Sequence, residues 1–500
     1  MFKQKLLIEE PSIPILNNSN AFFAKLICAA KGYKPVLLLS KKNNYNNFFY
    51  SLHLEEYEKH ISRLPKIKTY LLSKYVWLVS YIKCFTLFFG KSIIELTYSN
   101  IKYGDLIYDQ YLVEYEQATI KKIDSRLAKI IYQCIFRHHI VLSAIKKTKA
   151  KAVLVSQQVS IKTGVMLRVA IKHGLEGYLR AGHHESTLQK FTKLEEIYDY
   201  EYKPSPKELE KLIKKLGKKI NKKYINTLAY QVSGKGTKEG LDAYNANNKY
   251  YKSKKQFSNK YKLNNQKANV FVMLHALNDH PHSHFGKMLF KDYYDWMMTT
   301  LAIAKQNNKV NWIFKQHPSV YYYSTKDVDY HKIFSNLPKN IRYIDEKNQI
   351  DTRSLKHCAD LVATCAGSAG FELPALGGIP SIVGGKNHYS GLGIAYEPKN
   401  KTQYTQYLLN ICKKPPKLSS KIISRARATY IFIYDTSRFP VHYCPQVTMS
   451  DEKSANQDEW YHRAVNKQKK LFNKEIKSEI STYIKLIRQK NFYKLTKLDL

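Results

Sequence analysis

The stretch from Cys365 to Gly385, CAGSAGFELPALGGIPSIVGG, has the residue types and spacing expected of a phosphate site, and it contains six of the chain's 20 glycines. It follows the apolar run ADLVAT, which predicts a strand, a tight turn and a helix beginning near Ser368. Backbone N–H groups at a helix N-terminus lack partners within the helix, and the helix dipole favours an anion there. Gly367 and Gly370 would let a ligand approach the backbone closely. Glu372, one turn into the helix, can accept hydrogen bonds from a ribose, although a purely structural corner explains the same residues.

The stretch FKQHP ends another predicted strand and supplies Lys315 and His317 next to Pro318. Proline fixes its own backbone angle, so these two hydrogen-bond donors are expected to be held in a rigid turn. Two donors in such a turn suit a phosphate group. A solvated strand end is the alternative interpretation.

A third stretch, HALNDHPHSH, follows the predicted strand ANVFVML and contains His275, Asp279, His280, His282 and His284. Its spacing matches none of the usual zinc patterns, so we expect no metal. We assign His275, Asp279 and His282 to donor binding. A His-rich surface loop without a ligand is the competing explanation.

Strands and helices alternate at the spacing of βαβ units in two parts of the chain, which predicts an α/β protein with parallel sheets. Ligands of open α/β sheets bind outside the carboxyl ends of the strands. We therefore expect two Rossmann-like domains facing a cleft, with a helical C-terminal extension. The sequence predicts an N-terminal domain at 1–202, with an apolar helix near 75–90, and a polar helical linker at 203–266. A nucleotide-donor domain follows at 267–414, and a basic helical extension at 415–500.

The net charge of the chain is +42, from 82 Lys and Arg against 40 Asp and Glu. Such a chain is attracted to polyanions, either anionic lipid or nucleic acid. The basic residues are spread along the chain without zinc-finger spacing or an RNA-recognition motif, so nucleic-acid binding is not expected as the main function. The seven cysteines form no C-x-x-C pair, which favours a reducing compartment.

The segment Tyr75–Gly90, YVWLVSYIKCFTLFFG, is apolar and aromatic but only 16 residues long. A helix needs roughly 20 residues to span a bilayer. Three interpretations stay open: a buried core helix, a helix lying on a membrane surface, and a true span. Because the N-terminus has no secretory signal, we expect a cytoplasmic protein that is peripheral at the inner face of the membrane.

The three stretches in this order resemble the C-terminal half of GT-B-fold glycosyltransferases of bacterial surface polysaccharides, above all the capsule polysaccharide biosynthesis group that includes the Kdo transferases. In that group an HP strand end precedes the pattern S-x-x-G-x-E-x-x-x-x-G-x-P. Here the corresponding stretch is SAGFELPALGGIP, Ser368–Pro380, in which the first glycine and the glutamate each stand one position earlier than in that pattern, and HYSGLG follows. The stretch IKYGDLIYDQYL, Ile101–Leu112, is similar to one in related surface-carbohydrate proteins.

This resemblance implies a glycosyltransferase that moves a sugar from a nucleotide-sugar co-substrate to a capsular or lipid-linked glycan, without a cofactor or metal. By the same likeness, His317 and Ser368 would hold the donor phosphate with Lys315 nearby. Glu372 would bind the ribose or the nucleotide.

The catalytic group is expected from the N-terminal domain. Asp109 is the first candidate, as general base or nucleophile, and His183 in RAGHHES is the second. Structural roles for both residues are the alternatives.

Two other functions compete with sugar transfer. One keeps the fold but transfers a polyol phosphate from a CDP-activated donor, as teichoic-acid polymerases do. The other is a non-enzymatic basic scaffold, which would bind nucleic acid in a salt-sensitive manner.

Overall fold

The computed structural model describes residues 4–10, 15–39, 50–51, 53–54, 56–61, 66–182, 184–233, 249–318, 320, 323–441, 444, 462–463, 466 and 474–499. The chain divides into two compact units. The first comprises Met1–Tyr111, Lys122–Glu201 and Ser437–Leu500, and the second comprises Leu112–Lys121 and Tyr202–Thr436.

The strands and α-helices of the described residues are numbered along the chain. The strands are β1 (Lys5–Glu9), β2 (Lys34–Leu39), β3 (Glu58–Ile61), β4 (Thr97–Tyr98), β5 (Ile101–Lys102), β6 (Ala150–Val155), β7 (Glu176–Gly182), β8 (Glu185–Phe191), β9 (Asn269–Met273), β10 (Asn311–Lys315), β11 (Ile341–Ile344), β12 (Leu361–Thr364), β13 (Ser381–Val383) and β14 (Phe439–Pro440). The helices are α1 (Ile15–Lys31), α2 (Lys66–Thr86), α3 (Gly104–Tyr115), α4 (Ser125–Thr148), α5 (Ile161–Lys172), α6 (Pro206–Leu216), α7 (Ile220–Val232), α8 (Lys254–Lys260), α9 (Tyr293–Gln306), α10 (Tyr330–Ile333), α11 (Leu355–Cys358), α12 (Ala369–Gly377), α13 (Lys401–Asn410), α14 (Ser420–Ile431) and α15 (Lys474–Arg488).

The sheet of the first unit has the order β14–β8–β7–β6–β1–β2–β3. Neighbours from β3 to β7 pair in parallel, whereas β8 and β14 join antiparallel at one edge. From β1, successive strands are added toward one edge as β2 and β3, and from β6 toward the other edge as β7 and β8. The strand order therefore reverses between β1 and β6, which lie side by side in the middle of the sheet. In open α/β sheets such a reversal opens a crevice at the carboxyl ends of the two strands.

The second unit contains a five-stranded sheet of the order β11–β10–β9–β12–β13, in which every pair is parallel. Its central strands read NVFVM, NWIFK and LVAT and are almost completely buried. Continuous apolar runs of this kind are typical of parallel strands that are covered on both faces. In this sheet the strand order reverses between β9 and β12, so a ligand crevice is expected at the carboxyl ends of these two strands. The predicted α/β class with parallel sheets is confirmed.

Local sequence explains where several helices begin. The capping box of α6 is one example: the Glu208 N–H donates to Ser205 Oγ at 3.2 Å, and the Ser205 N–H donates to Glu208 Oε2 at 2.7 Å. Pro206 follows at the first helical position, where its missing N–H has no intrahelical partner to lose.

The two units differ from the predicted segments at three places. The short piece Leu112–Lys121 belongs to the second unit although it lies within the predicted first domain. The predicted linker 203–266 belongs to the second unit, where α7 packs against α14. The predicted extension 415–500 divides, because its residues up to Thr436 belong to the second unit and those from Ser437 belong to the first.

Helix α2 contains most of the apolar segment predicted at 75–90, and it lies on the surface of the first unit. One side packs along α4, with Val76, Ser80 and Cys84 buried and the Trp77 ring stacked on Tyr132 at 4.5 Å. The opposite side is exposed. The structure therefore excludes the buried core helix that was one of the three interpretations.

Candidate functional site

His275 connects the two strands at the reversal point of the second sheet. Its Nε2 lies 3.2 Å from the backbone nitrogens of Cys365 and Ala366 and 3.2 Å from Thr364 Oγ1. The imidazole stacks on the Tyr293 ring with 4.2 Å between centroids. Burial lowers the pKa of His275 to about 3, so the ring is neutral and Nε2 accepts the two N–H groups. His275 thus holds the glycine-rich turn onto β9, although the sequence assigned it to donor binding.

Fewer backbone donors are available at this turn than the sequence predicted. The Gly367 N–H donates to Thr364 Oγ1 at 3.1 Å, in addition to the two N–H groups that His275 accepts. In the part of the chain that the structure describes, the N–H groups of Ser368 and Ala369 have no acceptor. These two groups stand at the beginning of α12, where the helix dipole favours an anion.

The two glycines predicted to make room for a ligand are instead packed against protein atoms. A Cβ at Gly370 would overlap the Tyr389 hydroxyl, which donates to the Gly367 carbonyl at 2.9 Å. A Cβ at Gly367 would lie 2.8 Å from Thr364 Oγ1 and 3.4 Å from His275 Cε1. The space that the prediction reserved for a ligand above these glycines is therefore occupied by side chains of the protein.

Glu372 lies in the first turn of α12 and is half-buried. Its Oε1 accepts a 2.6 Å hydrogen bond from the Tyr434 hydroxyl, and Ser368 also hydrogen-bonds to the carboxylate. Burial raises the pKa of Glu372 more than these hydrogen bonds lower it. The predicted contact of Glu372 with a ribose stays a prediction.

Lys315 ends β10 with its side chain almost completely buried, at 3% exposure. Its Nζ donates to Gln349 Oε1 at 2.6 Å, and no carboxylate among the described residues lies within ion-pairing distance. Burial lowers the pKa of this ammonium group to about 8, so it is still mostly charged at neutral pH. A buried cation without a counter-charge is costly to a folded protein, and such perturbed groups mark candidate functional sites.

His317 lies two residues beyond Lys315 and shares the same sheet edge. Burial, and then the charge of Lys315, lower its pKa to about 4. Lys315 and His317 thus follow the carboxyl end of β10, and His275 follows that of the neighbouring strand β9 and contacts the turn before α12. Lys315 supplies a positive charge at this edge, and both imidazoles are neutral.

The remaining His-rich stretch forms a neutral cluster of imidazole and aromatic rings. His284 stacks on Phe285 at 4.6 Å, and Phe285 contacts His388 at 5.5 Å. Burial lowers the pKa of His284 to about 4, against the opposing effect of Asp279. The predicted His282 is buried beside them. No group of three or more His, Cys, Asp or Glu side chains suited to a metal occurs among the described residues.

In the first unit, the GDLIYD stretch has a structural explanation. A Cβ at Gly104 would overlap the backbone of the preceding 3₁₀ turn. Asp105 forms a buried two-pronged ion pair with Arg168, with distances of 2.7 and 2.6 Å. Asp109 is completely buried within α3 at 0% exposure, which does not favour the general-base role predicted for it. His183 lies outside the described residues.

A polar group that the sequence analysis missed lies at the reversal point of the first sheet. Glu9 ends β1, and its Oε2 accepts hydrogen bonds from the Ser156 N–H at 2.9 Å and the Ser156 hydroxyl at 3.2 Å. In the described part of the chain, Glu9 Oε1 and both amide atoms of Asn17 are buried without a partner. Burial raises the pKa of Glu9. The run NNSN within α1 was the available signal, since four polar residues interrupt an otherwise apolar helix.

No family model and no curated protein matches the chain. Among solved structures, the spinosyn rhamnosyltransferase SpnG covers 86% of the chain over 95% of its own length, with 9% identity and a TM-score of 0.27. A putative UDP-N-acetylglucosamine 2-epimerase from Listeria monocytogenes aligns with 86% of this chain and 93% of its own, with 11% identity and a TM-score of 0.26. Anabaena HepE, solved in complex with UDP and glucose, aligns with 86% of this chain and 96% of its own, with 12% identity and a TM-score of 0.25. TM-scores this low carry no argument about activity.

Proposed function

We propose that the chain transfers a sugar from a nucleotide-sugar donor to a capsular or other surface polysaccharide, and that the donor phosphate binds at the carboxyl edge of the second sheet. The observation that carries the proposal is the buried Lys315 ammonium, whose partner is an amide oxygen and which has no carboxylate partner among the described residues. A donor phosphate would provide the missing negative charge. The N–H groups of Ser368 and Ala369, which lack an acceptor in the described part of the chain, are two further donors at the carboxyl edge of the same sheet.

This arrangement suits the departure of a nucleotide from a sugar. Negative charge develops on the leaving phosphate oxygen, and donors already fixed at that position stabilise the transition state without reorganising. His317 is neutral at physiological pH and can contribute one ring N–H. We propose that these donors stabilise the leaving phosphate in place of a metal ion, and the polysaccharide acceptor is supported by the sequence resemblance.

The base that deprotonates the acceptor is proposed to be a carboxylate of the first unit. Asp109 was the first candidate, and it is completely buried; Glu9 is buried almost as deeply, at 1% exposure, so burial does not decide between them. Glu9 suits the role better because one of its carboxylate oxygens lacks a partner among the described residues and because burial raises its pKa. A raised pKa brings a carboxylate nearer to the operating pH, where general bases are most effective.

The test is thermal melting of the full chain with CMP, CDP, UDP, GDP and dTDP. A nucleotide that binds only the folded protein stabilises it by ~2.7 kcal/mol at a hundred times its dissociation constant. We expect one nucleotide to raise the melting temperature. The Lys315→Met variant should lose this shift while melting no lower than the wild type, because it removes a desolvated charge. Lys309→Met, which removes an exposed lysine of the same unit, is the matched control.

The pH dependence provides a second readout of the same experiment. Since the Lys315 pKa is about 8 in the free protein, the cation that attracts the phosphate is lost as pH rises above that value. We expect affinity for the nucleotide to fall roughly tenfold per pH unit beyond it. If no nucleotide shifts the melt, or if Lys315→Met binds as the wild type does, the proposal fails. A product containing a phosphodiester would instead indicate polyol-phosphate transfer.

A further inference from the structure

We infer that the exposed face of α2 and the 3₁₀ turn after it inserts into the interfacial layer of an anionic membrane, with the helix lying parallel to the surface. This face is made of large apolar and aromatic side chains that are more than half exposed: Leu71, Leu78, Ile82, Phe85, Phe88 and Phe89. Their spacing keeps them on one side of a helix with 3.6 residues per turn. Soluble proteins rarely expose a continuous apolar surface of this kind, which marks an interaction site.

The packing of α2 distinguishes a helix on the surface from one that spans the bilayer. By length and composition alone, Lys66–Phe89 could cross a membrane, since an 18-residue stretch within it has a mean hydropathy of 1.3. Only 22% of that stretch is buried. The side opposite the apolar face is held against α4 by the Trp77–Tyr132 stack and by a 3.0 Å hydrogen bond between Ser73 and Tyr132. A helix fixed along its length to a folded unit can insert one face but cannot pass through the membrane.

Charge and aromatic content indicate a lipid partner. Exposed lysines stand before, within and after the apolar face, at Lys66, Lys68, Lys74 and Lys91. Lysines near an anionic surface are attracted to it, and the whole chain carries a net charge of +42. Tyrosines accompany the apolar residues at Tyr70, Tyr75 and Tyr81, and amphipathic rings favour the headgroup level of a bilayer.

Membrane insertion of the apolar face of α2 is independent of the proposed sugar transfer, because it requires neither a bound nucleotide nor Lys315. It would hold a cytoplasmic protein at the inner face of the membrane, where lipid-linked substrates lie. The apolar face begins at Leu71, about one helical turn before the segment predicted at 75–90. The side of the helix that inserts is the one opposite α4, which the sequence pattern did not specify.

The experiment is flotation of the full chain with vesicles of phosphatidylcholine, with and without 30 mol% phosphatidylglycerol, an amount chosen at roughly physiological anionic content. We expect binding to the anionic vesicles. The Leu78→Asp/Phe85→Asp variant should lower the partition coefficient at least tenfold, because two inserting side chains become charged. Both positions are exposed, at 62% and 61%, so folding should be unaffected, as melting will show. Ile225→Asp is the matched control, since Ile225 is equally exposed at 61% but lies in the second unit.

Insertion has a direct spectroscopic signature. A Phe85→Trp variant should gain blue-shifted emission that lipids brominated on their acyl chains quench, whereas Ile225→Trp should not. Binding that persists in Leu78→Asp/Phe85→Asp and disappears only with salt would overturn the inference, since charge alone would then be responsible. A wild-type dimer that this variant converts to a monomer, without vesicle binding by either protein, would also overturn it and assign the face to a second copy of the chain.

Discussion

Lys315 and Glu9 each end a strand of a parallel sheet with an ionisable group that is buried and incompletely paired. Burial disfavours the charged form, so it lowers the pKa of the lysine and raises that of the glutamate. Each leaves a buried polar group without its full set of partners among the described residues, which is costly to the folded state. A ligand that completes the pairing is the simplest reason for such residues at the carboxyl edge of a sheet.

Glu9→Gln should separate catalysis from stability. If Glu9 is the base, sugar transfer with the identified donor should fall about a hundredfold or more, while the protein keeps its nucleotide-induced melting shift. The folded wild type holds the Glu9 proton to a higher pH than the unfolded chain does. Stability therefore falls as pH rises from the ordinary glutamate pKa toward the raised one, and glutamine removes this slope.

Steady-state kinetics and melting between pH 4 and 8 measure both effects. Glu95→Gln is the control, because Glu95 is exposed and pairs with Lys102 on the surface. Unchanged turnover in Glu9→Gln would remove this residue from the mechanism and return attention to Asp109.

At the scale of elements, the glycine-rich turn is a junction at which three segments meet. The His275 ring fixes the turn to β9, and Thr364 at the end of β12 accepts its Gly367 N–H. Tyr389, from the loop after β13, lies against Gly370 in α12. The glycines thus permit close packing between elements, and the donor groups left over are the two N–H groups at the start of α12.

A double-mutant cycle tests this junction. Gly370→Ala should destabilise the protein by roughly 1–3 kcal/mol, because its methyl group would overlap the Tyr389 hydroxyl. Tyr389→Ala removes the obstacle at the expense of a cavity. In the double variant the alanine at 370 should therefore add little further loss, giving a coupling energy above about 0.5 kcal/mol in chemical denaturation. Additive losses would show that the two residues do not contact.

At the scale of the whole molecule, the C-terminal residues complete the core of the first unit. Helix α15 packs against α1, and Tyr483, Leu486 and Ile487 join a core cluster with Leu26 and Ile27. The strand β14 extends the same sheet through its pairing with β8. These residues are therefore part of the fold of the first unit and not an extension added to it.

Ile487→Ala should consequently lower the free energy of unfolding by about 2–5 kcal/mol, the usual loss for a large buried aliphatic residue. Lys490→Ala, three residues on and exposed, should leave it unchanged. Denaturant unfolding of the full chain measures both variants. Equal stability of the two would mean that α15 is only loosely attached.

The sequence by itself determined the α/β class, the succession along the chain of the strands that end in polar residues, and the position of the turn before α12. These features follow from local apolar periodicity and from glycine and proline chemistry, which short stretches contain in full. Only the tertiary structure decided that His275 accepts two of the turn's N–H groups, that Tyr389 fills the space at Gly370, and that Lys315 is buried with no counter-charge among the described residues. It also decided which side of α2 faces solvent and that α15 belongs to the first core. Each of these depends on residues far apart in the chain meeting in space, because burial and partner atoms belong to the packed molecule and not to any one stretch of sequence.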